Sequence, residues 1–136
     1  MTVATGLITR VDLDEVASGA RQMSVSARLE AVIADGRRLV LLDNRGWSSS
    51  LHGGGVDLRA WISVEDIEST ARVVVGPDEP SDGETYEQQA ADHWGTLADL
   101  LRRHGVDVDA QELERLPHDV VLSQRLRAWI ARRTGR

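Results

Sequence analysis

From Gln22 to Ile33 the odd positions Met23, Val25, Ala27, Leu29 and Ala31 are apolar or small, while Ser24, Ser26, Arg28 and Glu30 are polar. This two-residue period predicts a strand with one buried face. Before it, Val3 to Leu13 mixes β-branched and apolar residues in rough alternation and is closed by Ala17-Ser18-Gly19, which predicts a first strand. The alternation of the second strand lapses at Val32-Ile33, the position expected for a bulge, and Asp35-Gly36 is a turn pair suited to the positive φ of a tight hairpin. Leu39 to Leu42 is then the returning strand, apolar throughout and so expected to be buried on both faces. Asp43 to Gly55 reads as a long loop of turn residues. Val56, Leu58, Ala60 and Ile62 alternate with Asp57, Arg59 and Trp61, which predicts a fourth strand. Ser63, with Asp66 three positions on, forms a shortened capping box for a single turn, and Arg72-Val73-Val74-Val75 reads as a fifth strand stopped by Gly76-Pro77.

After the acidic linker Asp78 to Gly83 the period changes from two to 3.6. Tyr86, Ala90, Trp94, Leu97, Ala98 and Leu101 form one stripe of a helix from about Glu84 to His104, with Gly105 in the position of a left-handed C-cap. Asp109 and Glu112 cap a short helix ending near Leu116. Pro117 is tolerated in a first helical turn, and Leu122, Leu126, Trp129 and Ile130 mark the apolar stripe of a last helix to about Arg133.

The fold class expected from this order is α+β: an N-terminal five-stranded antiparallel small barrel or curled sheet over residues 1–77, then a three-helix segment over 84–136 packed against it as one unit. In its succession of elements the first half resembles small barrels of the Src-homology-three type, a likeness of pattern that no sequence motif accompanies.

Composition narrows the class. The chain has 136 residues, 41% hydrophobic and 28% charged, enough for a real core without disulfides or metals. It has no cysteine, which removes disulfide frameworks, thiol catalysis and thiolate zinc sites. There is no phenylalanine and one tyrosine, so the four tryptophans are the expected packing anchors. No apolar run is long enough for a membrane span and no leader pattern opens the chain, so a soluble cytoplasmic protein is expected. The net charge of −6 repels nucleic acid and anionic membranes.

Local motifs for chemistry are few. His52-Gly53-Gly54-Gly55 matches the string that builds part of an esterase oxyanion hole, yet the serine elbow that this chemistry needs is missing. His52, His93, His104 and His118 have no metal-ligand spacing, so neither a metal nor a cofactor is expected. Asp78 to Asp92 is acidic without a basic residue, and Arg125, Arg127, Arg132, Arg133 and Arg136 make a basic end, a distribution that helix dipoles alone favour. Read differently, Arg125 and Arg127 would lie on the reading helix of a helix-turn-helix, against which the net charge argues.

The segment from Arg45 through Trp47 to His52 offers a guanidinium fork, an aromatic plane and adaptable hydrogen-bonding groups, the mixture that recognition surfaces favour. The plain alternative has Arg45 paired with an acid and Trp47 lying as a lid on the core. The expected function is therefore a non-enzymatic binding or accessory protein. It would work through contacts with another protein, or with a second copy of itself, centred on Arg45, Trp47 and His52. A small-substrate enzyme whose groups converge only in the fold, and a DNA-binding regulator using Arg125 and Arg127, are the alternatives from other classes.

Overall fold

The computed structural model describes residues 2–50, 57–80 and 83–132. Strand β1 (Thr2–Leu13) runs antiparallel to β2 (Gln22–Ile33), in a register that sets Leu7 against Ala31, Thr9 against Leu29 and Val11 against Ala27. Odd positions therefore share one face, which is buried at Leu7, Thr9, Val11, Met23, Val25, Ala27, Leu29 and Ala31. The opposite face carries Arg10 and Arg28, whose guanidinium Nε atoms lie 3.1 and 3.0 Å from the two carboxylate oxygens of buried Glu30.

Asp35-Gly36 does form the hairpin turn. The Gly36 N–H donates to the Ile33 carbonyl, the Ile33 N–H to the Arg37 carbonyl, and Gly36 takes φ 96°, a left-handed value that glycine adopts without Cβ strain. Strand β3 (Arg38–Ser50) returns along β2, and it is far longer than the Leu39 to Leu42 segment expected. Its second half, Arg45 to Ser50, pairs with Gln22 to Ala27, so residues expected in a loop are sheet. The irregularity expected at Val32-Ile33 is found in the pairing with β1, where Ile33 faces Ala4 and Val32 faces Gly6 with Thr5 between them, and the pairing with β3 is irregular as well, at Ala27 to Glu30. Leu41 is buried and Leu39 partly so, but Val40 is 45% exposed, so the strand does not bury both faces.

The two other strands expected in the first half are not strands. Leu58–Trp61 is a 3-10 turn whose start is capped by Asp57, the carboxylate accepting from the Arg59 N–H at 3.0 Å. Helix α1 (Val64–Val74) begins at the capping box read from the sequence, with the Ser63 hydroxyl accepting from Asp66 N–H and the Asp66 carboxylate accepting from Ser63 N–H. It does not stop after one turn. Ile67, Ala71 and Val75, spaced by four, are buried against the sheet, and this stripe holds Arg72 to Val74 helical despite their strand propensity.

Helix α2 (Tyr86–Arg103) starts from a Thr85–Gln88 capping box and ends ahead of Gly105, which takes φ 81° as expected. Its stripe buries Trp94, Leu97, Ala98 and Leu101. The two-residue strand β4 (Val106–Asp107) follows, then α3 (Ala110–Arg115) behind its Asp109 cap. The expected last helix is split. His118–Leu122 is strand β5, parallel to β1 from Leu7 to Val11, and Ser123 then caps α4 (Gln124–Ala131). Within the described residues the second half thus interleaves its helices with two strands that complete the sheet.

The sheet runs β3-β2-β1, with β4 and β5 both parallel to β1 along its far edge. It is a five-stranded mixed sheet, open and not a closed antiparallel barrel, with helices on the odd-numbered face, an α+β architecture. Two apolar clusters form the core. One joins Leu7, Leu29, Ala31 and Ile33 to Trp94, Leu97 and Leu101, and the other joins Val11, Met23 and Val25 to Ile67, Leu126 and Trp129. Three of the tryptophans contribute to packing as expected, but Trp61 is 69% exposed and does not anchor the core.

Candidate functional site

Register with β2 sets the side chains of β3 that sequence reasoning singled out. Arg45 is opposite Ala27 and so reaches toward the helices, where its Nη1 donates to Asp78 at 2.8 Å and to the Val74 carbonyl at 3.3 Å. A cation at the carbonyl end of α1 is favoured by the helix dipole, so the contact fastens β3 to α1 and to the linker after it. Trp47, opposite Val25, is partly buried against both apolar clusters. His52, and with it the His-Gly-Gly-Gly string, lies outside the described residues.

Two half-buried histidines bear on the site, His93 beside Arg45 and Asp78 and His118 on β5. His93 Nε2 donates to the Val75 carbonyl at 2.9 Å, and its ring meets Trp94 edge-on with centroids 4.9 Å apart. Burial holds the His93 pKa below the ordinary histidine value, with Arg45 adding to the effect and the Val75 carbonyl and Asp78 opposing it. His118 Nε2 is 2.6 Å from the Thr9 hydroxyl, and its carbonyl accepts from Arg72. Burial lowers the His118 pKa as well, with the Arg72 charge second. Thr9 is fully buried, so the Thr9–His118 pair joins β1 to β5 inside the fold and presents no hydroxyl to a substrate. Among the described residues no group of three His, Asp or Glu side chains is arranged to hold a metal ion.

Arg125 and Arg127 are not brought together. Arg125 pairs with Asp12 at 3.2 Å beside β1, while Arg127 lines a cleft of about 580 Å³ between α4 and the start of α1, next to Glu65. Two residues apart on a helix, they point to different sides.

The feature that sequence reasoning missed is a groove along α2. A cleft of about 390 Å³ lies between the end of α1, the segment through Pro77 and Pro80, and α2, with Val73 and Tyr86 among its walls. A second cleft of about 270 Å³ adjoins it between α2 and α3, and Tyr86, Trp94 and Glu114 line both. Val73 is 74% and Tyr86 61% exposed, whereas Trp94 is buried beneath them. The exposed place of Val73 follows from reading 64–74 as a helix, where it falls off the Ile67–Ala71–Val75 stripe; the strand reading concealed it.

Compared with family models, with curated proteins and with solved structures, the chain matches none. Among the described residues no helix is long and apolar enough to cross a membrane.

Proposed function

We propose that the chain is a non-enzymatic binding protein of the cytoplasm that works through protein contacts made along β3, from Arg45 toward His52, with another protein or with a second copy of itself. The observation that supports this reading is the outer edge of β3. The strand has 13 residues and pairs with β2 on one side, and no other described strand lies on its other side. Such an edge presents unpaired N–H and C=O groups to any incoming strand, and proteins ordinarily blunt it with charge, proline or brevity. Between Gly46 and Ser50 the sequence Gly-Trp-Ser-Ser-Ser supplies neither charge nor proline, and Arg45 is already engaged by Asp78. Strand addition suits this edge: main-chain hydrogen bonds give the affinity, and the exposed side chains of Ser48 and Ser50 leave room for a partner.

The test is sedimentation of the full chain over a wide concentration range, together with a photo-cross-linking residue placed at Ser48 in living cells. A dimer that Ser48→Arg disperses, or a single partner cross-linked from position 48, supports the reading. A chain that is monomeric throughout and cross-links to nothing overturns it.

A further inference from the structure

We propose that the groove along α2 is a docking site for a basic, amphipathic segment of a partner protein, which lays an apolar side chain over Trp94 between Val73 and Tyr86 and sets arginine or lysine on the carboxylate rim. The proposal rests on the reading of the chain as a binding protein but uses a different surface from β3.

Shape gives the first part of the argument. The two clefts, about 390 and 270 Å³, share Tyr86, Trp94 and Glu114, so they form a continuous path of two hollows, each on the scale of one or two side chains. Their linings are more apolar than polar, and the exposed rings and methyl groups of Tyr86, Val73 and Pro80 are the kind of surface that a solvated monomer gains by covering. A buried aromatic floor ringed by contacts that exclude water is the arrangement in which interface energy concentrates.

Charge selects the occupant. Among the described residues, Asp78, Glu79, Glu87 and Glu114 line the two hollows against a single guanidinium, that of Arg72, which is turned to the His118 carbonyl at 3.2 Å. Asp78 is held by Arg45, which leaves Glu79, Glu87 and Glu114 as the rim carboxylates facing an incoming chain. The net charge of the chain, −6, has the same sign as the rim, so a basic segment is both steered in and paired there. The acidic rim disfavours a second copy of this chain lying groove to groove, because its carboxylates would then face like charges.

The experiment is selection of a random peptide library, displayed on phage, against the immobilised full chain, followed by anisotropy titration of the enriched peptides. We expect sequences that combine arginine or lysine with a large apolar residue, binding that weakens steeply with added salt, and losses of about tenfold or more for Tyr86→Ala and for Val73→Asp. The double variant Glu87→Gln with Glu114→Gln should flatten the salt dependence. All four positions are exposed, so the variants should melt like the parent, which a thermal scan confirms before binding is read. Failure to enrich any peptide, enrichment of acidic or uncharged sequences, or peptides indifferent to the groove substitutions would overturn the proposal. Peptides that bind but are displaced by Ser48→Arg instead would sink the groove and leave the β3 reading standing. A silent cross-link at Ser48 with groove-dependent peptides would do the reverse.

Discussion

Replacing Trp94 with alanine tests the core and the order of its elements in one measurement. Trp94 is 7% exposed, joins α2 to the cluster that contains Leu7, Leu29 and Ile33, and stands edge-on to His93. A buried tryptophan withdraws about 150–250 Å² from water, and at about 25 cal/mol per Å² this amounts to about 4–6 kcal/mol. Alanine keeps a small part of that burial, and the edge-on ring contact is worth about 1 kcal/mol beyond area. The net cost should therefore fall at about 3–5 kcal/mol, in line with aromatic-to-alanine changes elsewhere. For a chain of 136 residues, 1 kcal/mol corresponds to about 4 °C, so the midpoint should drop by about 12–20 °C. Trp61 is the internal control: at 69% exposure its alanine variant should stay within about 0.5 kcal/mol of the parent. Both are read by far-ultraviolet circular dichroism in thermal and urea unfolding, with the urea slope verifying that the denatured state is unchanged. A Trp94→Ala cost below about 1 kcal/mol, or a Trp61→Ala cost matching it, would refute the assignment of these two side chains to core and surface.

Gly46→Ala should destabilise by about 1–3 kcal/mol, because a Cβ there would collide with the Val25 carbonyl oxygen and the two strands would have to part; an unchanged melting point would contradict that close approach. Gly95→Ala, in the middle of α2 with open space at its Cβ, should instead raise stability by about 0.5–1 kcal/mol in the same urea titration. Acid should weaken the fold through His93 and His118: both are held below the ordinary value of 6.5, so below that pH the unfolded chain binds the protons more readily and stability falls as pH drops toward the folded-state values. Above 6.5 the two groups are neutral in both states and contribute no slope, so His93→Gln and His118→Gln should each lessen the loss of melting temperature between about pH 7.5 and 5.5 relative to the parent; a loss as steep as the parent's in both variants would remove the histidines from the account.

What the sequence determined by itself was whatever a few neighbouring residues can enforce. The two-residue period of Gln22 to Ala31, the Gly36 turn, the caps at Ser63 and Asp109 and the glycine stop at Gly105 each depend on local sterics or on a hydrogen bond spanning three residues, and each stands where the pattern placed it. The pairing of Arg45 with an acid and the partial burial of Trp47 were likewise foreseen as the plain alternative for that segment, since a lone guanidinium and a large aromatic both find partners. Tertiary structure decided the rest. Arg72 to Val74 carry strand propensity but are helical, because Ile67, Ala71 and Val75 can meet the sheet only on a helical spacing. Leu58 alternates with its neighbours like a strand residue, yet Asp57 caps a turn there. Val120 to Leu122 fit a helical stripe equally well until the open edge of β1, more than a hundred residues earlier, offers a parallel partner. The groove along α2 exists only because α1, the linker, α2 and α3 meet around Trp94, and no local pattern encodes a surface assembled from four separate segments.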